Sequence, residues 1–296
     1  MSNIEWTEQT WNPTTGCDRT SPGCDRCYAL TMAKRLKGMG QAKYQTDGDP
    51  RTSGPGFGLA MHEDTLADPL HWTKPRRVFV NSMSDLFHAS VTDEFIAKVF
   101  AVMALTPQHT YQVLTKRHGR MRSLLGNPQF EALVDKQLLT VPAFSDPKLI
   151  RRSWPLPKPG WPLPNVWLGV SVEDQHWADI RVPALVQTPA AVRFLSCEPL
   201  LGPVDLTQAV IPKFHGIHWA IVGGESGPGA RPMDQAWAAA LVKQCQDADT
   251  AVFVKQLGSV WARENGASDG KGGKPEDWPA ALRVREYPTA VSEVAA

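Results

Sequence analysis

Short apolar runs rich in β-branched and aromatic residues alternate along the chain with segments whose apolar residues recur at helical spacing. The runs fall at 78–82, 111–115, 166–172, 192–196, 218–222 and 251–255. Among the segments between them, 92–105 opens on Thr92-Asp93-Glu94, a helix start, and 233–247 carries Trp237, Leu241 and Val242 on one face. In 177–187 the helical pattern meets Pro183, a residue that breaks or kinks a helix. Six runs joined by helices predict a parallel α/β sheet, and their continuous apolar character suits strands covered on both faces.

Some stretches depart from this rhythm. Residues 126–164 hold Pro128, Pro142, Pro147, Pro155, Pro157, Pro159, Pro162 and Pro164. They read as a proline-rich insertion, helical near 130–139 and then extended. Residues 48–58 and 266–275 are glycine-rich loops, and 287–296 reads as a loosely held tail. No internal repeat or change of composition marks a second domain, so 1–296 is expected to form one domain.

Composition narrows the class. With 42% hydrophobic and 21% charged residues, the chain is neither disordered, collagen-like nor a coiled coil. Thirty-one Lys and Arg against 30 Asp and Glu leave a net charge of +1, which excludes a globally basic nucleic-acid binder but not local basic patches. No apolar run approaches the roughly 20 residues of a membrane-spanning helix, and residues 1–6 lack the pattern of a signal peptide. A cytoplasmic protein without membrane association is expected.

Three of the five cysteines, Cys17, Cys24 and Cys27, form a C-x6-C-x2-C cluster. An odd count without an export signal argues against a disulfide framework. The turn Ser21-Pro22-Gly23-Cys24 suits thiolates gathered on one concave loop. Structural zinc and four-cysteine clusters both want a fourth ligand, and His62 belongs to no paired histidine motif. Three ligands leave one metal position open for a small molecule. The alternative is a zinc loop closed by a distant His or by Cys197.

Polar residues follow every apolar run: Ser82-Met83-Ser84-Asp85, Thr115-Lys116-Arg117, Ser171-Val172-Glu173-Asp174, Ser196-Cys197-Glu198, Gly223-Gly224-Glu225-Ser226 and Lys255-Gln256. One such ending is an ordinary solvated turn. Six in register predict a polar site at the carboxyl ends of the strands. Basic residues gather at 74–77, at 116–122 and at 148–152; they suit phosphate contacts or, more simply, solvated helix faces.

The cysteine triplet ahead of a run of βα units resembles the radical S-adenosylmethionine superfamily, and within it a phage and prophage branch of three-cysteine proteins. The features that carry this resemblance are Ile4-Glu5-Trp6-Thr7, Thr10-Trp11-Asn12-Pro13, Gly16-Cys17, Ser21 to Cys24 with Cys27-Tyr28-Ala29, Gly223 to Gly227 with Ala230 to Met233, and Phe253 to Gly258. The resemblance implies a single partial (β/α)6 barrel of TIM type whose N-terminal loop carries a [4Fe–4S] cluster on Cys17, Cys24 and Cys27. It implies S-adenosylmethionine as cofactor, here given Tyr28, Ser82, Ser84, Asp85, Ser171, Glu173 and Glu198, with substrate at Lys116, Arg117, Glu225 and Lys255. It also implies a reducing partner such as flavodoxin or ferredoxin. The usual spacing is C-x3-C-x2-C, and the aromatic residue common before the third cysteine is Arg26 here, so Tyr28 is given that role. The superfamily's Gly-Gly-Glu after the second strand is replaced by residues 82–85, which look closer to the spore photoproduct lyase side. That similarity makes a DNA or RNA base the leading substrate class, with a small molecule or protein left open. The rival expectation is a non-enzymatic, zinc-stabilised nucleic-acid-binding protein.

Overall fold

The computed structural model describes residues 4–138, 140, 160–207 and 216–289. Most of the proline-rich stretch, the basic residues at 148–152 and the tail from 290 lie outside them. The chain divides into two compact units: residues 1–20, 27–168 and 188–191, and residues 21–26, 169–187 and 192–296. The sequence had given no boundary between them.

The first unit holds β1 (Gln9–Trp11), β2 (Thr14–Thr15), α1 (Tyr28–Gly38), β3 (Ala60–Met61), β4 (Arg77–Val80), α2 (Asp93–Leu105), β5 (Thr110–Thr115), α3 (His118–Leu125) and α4 (Pro128–Leu138). Strand β4 lies between β1 and β5 and is parallel to both, with Thr10 opposite Phe79 and Phe79 opposite Gln112. Short, polar β1 carries no apolar run; burial of Trp11, whose indole N–H donates to the Thr65 carbonyl at 2.8 Å, ties it down. Helix α2 starts where expected, the Thr92 hydroxyl accepting the Phe95 N–H at 3.2 Å. Ten of its thirteen residues are buried, which makes it a central helix rather than an amphipathic cover. It meets α4 through Phe100 and Phe130, edge to face at 5.6 Å.

Strand β6 (Val166–Ser171) begins in the first unit and ends in the second. The second unit continues with α5 (Gln175–Val186), β7 (Val192–Cys197), β8 (Trp219–Gly223), α6 (Gln235–Asp247), β9 (Ala251–Gln256) and α7 (Ser259–Glu264). Strands β7, β8 and β9 run parallel in that order, with Phe194 opposite Trp219 and Trp219 opposite Ala251. Both α5 and α6 open on aspartate caps, Asp174 accepting from Trp177 N–H and Asp234 from Ala236 N–H. Pro183 neither ends nor splits α5, which continues to Val186. Parallel strands joined by helices make the fold α/β. Among the described residues no helix is long and apolar enough to cross a membrane.

Gly169 in β6 marks close packing of β6 against β7: a Cβ there would lie 2.4 Å from the Phe194 ring. Gly169→Ala is expected to cost about 1–3 kcal/mol in urea unfolding, and Phe194→Leu in the same chain to recover most of it. Equal stability of Gly169→Ala and the parent would contradict this packing.

Candidate functional site

In the second unit the site is built around a turn. Ser21 is extended, Pro22 opens a 3-10 turn over Pro22–Cys24, and the Cys24 N–H donates to the Ser21 carbonyl at 2.8 Å. The Ser21 hydroxyl donates to Glu173 Oε1 at 2.6 Å. Glu173 Oε2 accepts from Arg181 Nη1 at 2.7 Å, and the same nitrogen donates to the Ser171 carbonyl at 2.8 Å. Both side chains of this ion pair are fully buried. The Arg181 guanidinium lies 3.9 Å from the centre of the Trp177 ring, so an aromatic face covers the charge that water cannot reach. Gly23 is dictated by the same carboxylate, because a Cβ there would sit 2.6 Å from Glu173 Oε1.

A second acid holds the turn from the other side. Arg231 grips Glu225 with Nε at 3.0 Å and Nη2 at 2.5 Å, while Nη2 also donates to the Pro22 carbonyl at 3.0 Å. Arg26 adds an ion pair to Glu225 at 3.8 Å. Burial pushes the Glu225 carboxyl up, but the hydrogen bonds and charge of Arg231, with the charge of Arg26, outweigh it and hold the group below its ordinary value. At the ends of β7 and β9, Glu198 and Lys255 pair with each other at 2.5 Å, both largely buried.

The first unit presents Cys17 and Cys27, packed against an apolar cluster of Ala29, Ala33, Phe57 and Met83. Gly16, at φ +85°, lies against the Gly58 carbonyl, where no Cβ fits. Its N–H donates to the Met83 carbonyl and that of Cys17 to Phe57. The Asp18 carboxylate accepts from Thr52 and Ser53 at 2.9 Å and pairs with His88 Nε2 at 3.0 Å. Burial raises the Asp18 carboxyl, and these partners more than offset that, leaving it below the usual range. Arg117 Nη2 points at the Cys17 sulfur, 4.0 Å away, and at the Asp18 carbonyl, 3.4 Å away.

The other residues expected from sequence to hold a cofactor or substrate make specific contacts here. Asp85 accepts the Thr115 hydroxyl and the N–H groups of Phe87 and Lys116, so it fixes the turn after β5. Ser84 bonds Thr14, Ser82 bonds Asn12, and the Tyr28 hydroxyl donates to the Ser82 carbonyl while its ring stays exposed. Arg120, from the basic run at 116–122, is committed to the carbonyls of His88 and Val91 and to Asp93.

All five cysteines are thiols outside any disulfide. Burial pushes Cys245 up to about 12 and Cys197 higher still, which makes both inert, whereas Cys17, Cys24 and Cys27 are only half-buried. Among the described residues, no three His, Cys, Asp or Glu side chains are grouped to hold a metal ion.

A family model described as a protein of unknown function, DUF5131, matches residues 1–284. The chain belongs to that family. No curated protein and no solved structure matches this DUF5131 member. These comparisons name no iron–sulfur or S-adenosylmethionine protein, and the family's description states no activity.

Glu173→Gln in this DUF5131 protein leaves Arg181 buried without its counter-charge and is expected to cost about 3–5 kcal/mol in urea unfolding; a loss below about 1 kcal/mol would contradict the ion pair's role. For Glu225 the sign follows from its depressed carboxyl: its contribution is present above the ordinary value of 4.5 and is lost as pH falls through the folded value. Stability should therefore drop more steeply below pH 4.5 in the parent than in Glu225→Gln, as read from denaturation midpoints against pH.

Proposed function

We propose that this protein is a radical S-adenosylmethionine enzyme in which Cys17, Cys24 and Cys27 hold a [4Fe–4S] cluster, on the scaffold of a partial (β/α)6 barrel. The observation that carries the reading is the turn at Cys24. A fully buried ion pair is costly to form, and here it is devoted, through Ser21, to fixing a short turn whose reactive group is a thiol. The donor set suits the group: three half-buried thiols outside any disulfide and within eleven residues, soft ligands of the kind iron–sulfur centres take. In a cluster each thiolate takes a different iron, so its ligands sit farther apart than those of a single ion.

When bound, the cluster with S-adenosylmethionine supplies one-electron cleavage of the sulfonium to methionine and a 5′-deoxyadenosyl radical that abstracts hydrogen from substrate. The chain's own part is to orient and enclose. Glu173 and Glu225 are committed to fixing the turn, and within the second unit the Glu198–Lys255 pair at the strand ends is the one proposed to meet a cofactor or substrate. The electron would come from a flavodoxin or ferredoxin. A nucleic-acid base is the substrate class proposed; within the basic run, Arg117 and Arg120 serve the protein's own groups.

The test is anaerobic reconstitution with iron and sulfide, then dithionite and S-adenosylmethionine. The parent should take up iron and sulfide and release 5′-deoxyadenosine; Cys17→Ala, Cys24→Ala and Cys27→Ala should each lose both, and Cys197→Ala should lose neither. One bound zinc with no sulfide would overturn the proposal in favour of a zinc-stabilised binding protein.

A further inference from the structure

In the first unit Arg117, the residue before α3, has an unusual set of partners. Its Nε–H is buried and has no hydrogen-bond partner among the described residues. Its Nη2 reaches the Cys17 sulfur at 4.0 Å and the Asp18 carbonyl at 3.4 Å. The Asp18 carboxylate is engaged elsewhere, by Thr52, Ser53 and His88. On His88, Nδ1 accepts the Ser90 N–H at 3.2 Å, so the ring proton sits on Nε2, facing Asp18. Among the described residues the guanidinium thus meets a sulfur and a carbonyl and no carboxylate, and its buried N–H is costly to leave unpaired.

We propose that Arg117 is a positioning residue that directs its positive charge at the Cys17 sulfur and thereby raises the reduction potential of the centre Cys17 ligates. The inference rests on the function proposed above. On reduction, one electron from the external donor adds one negative charge to the centre; the nearby guanidinium favours that state by attraction and is itself unchanged.

Two measurements on the full chain, with Arg117→Gln and Arg117→Lys beside the parent, test it. In the metal-free protein, Cys17 is alkylated with iodoacetate and, separately, with iodoacetamide, and the rates are read by mass spectrometry. Both reagents need the same thiolate, so their ratio reports the local field on an incoming anion. The ratio should fall several-fold in Arg117→Gln and persist in Arg117→Lys. In the reconstituted protein the midpoint potential should drop by about 59 mV in Arg117→Gln, a tenfold change for a one-electron couple, and stay near the parent's in Arg117→Lys. An unchanged ratio in Arg117→Gln overturns the charge assignment. A lowered ratio with an unchanged potential overturns its effect on the centre. A parent that takes up no iron and sulfide overturns the function and the role at the centre together, while the ratio still decides separately whether the charge faces Cys17.

Discussion

One dehydrated carboxylate organises the second unit. Glu173 follows β6, has no exposed surface, and offers two acceptor oxygens that water cannot satisfy. Arg181 takes one and Ser21 the other, and each commitment fixes something else. Arg181 must come from the second turn of α5 and must itself be covered, by Trp177. Ser21 brings the Cys24 turn down onto the strand end, and Gly23 follows because no side chain fits above the carboxylate. Removing the charge would leave an unpaired guanidinium in the interior, so the ion pair and the turn stand or fall together.

The first unit secures its part of the cysteine segment by backbone contact. Gly16 is pressed against the Gly58 carbonyl, and Gly16 and Cys17 donate to Met83 and Phe57. Asp18, the following residue, is held by three side-chain partners, and Arg117 takes its carbonyl. Each unit thus devotes polar side chains to holding its part of the cysteine segment, while Cys197 and Cys245 are simply core residues.

Much of the fold was legible because its strands are apolar through their length: every predicted run lies on an observed strand within about two residues, inside the usual fraying of boundaries. Strand β1 was illegible because Gln9-Thr10-Trp11 has no apolar run, and only the tertiary burial of Trp11 makes it a strand. Helix α5 survives Pro183, which local rules treat as a breaker. The strand-end acids were readable as a set, but their partners were not: nothing in the sequence says that Arg181 reaches Glu173 or that Arg231 reaches Glu225. Those pairs depend on where a helix and a loop return in space. The adjacency of Asp18 to Cys17 was the one local hint to that carboxylate's role, and His88 carried none.

The claim on which the functional account depends is that Cys17, Cys24 and Cys27 hold a cluster with one iron left for S-adenosylmethionine. Electron paramagnetic resonance of the dithionite-reduced, reconstituted protein, recorded with and without S-adenosylmethionine, tests it most directly. The account predicts a reduced-cluster signal whose g values and line shape move on addition of S-adenosylmethionine, because that iron gains new ligands. A signal that does not move, or no cluster signal at all, would contradict it.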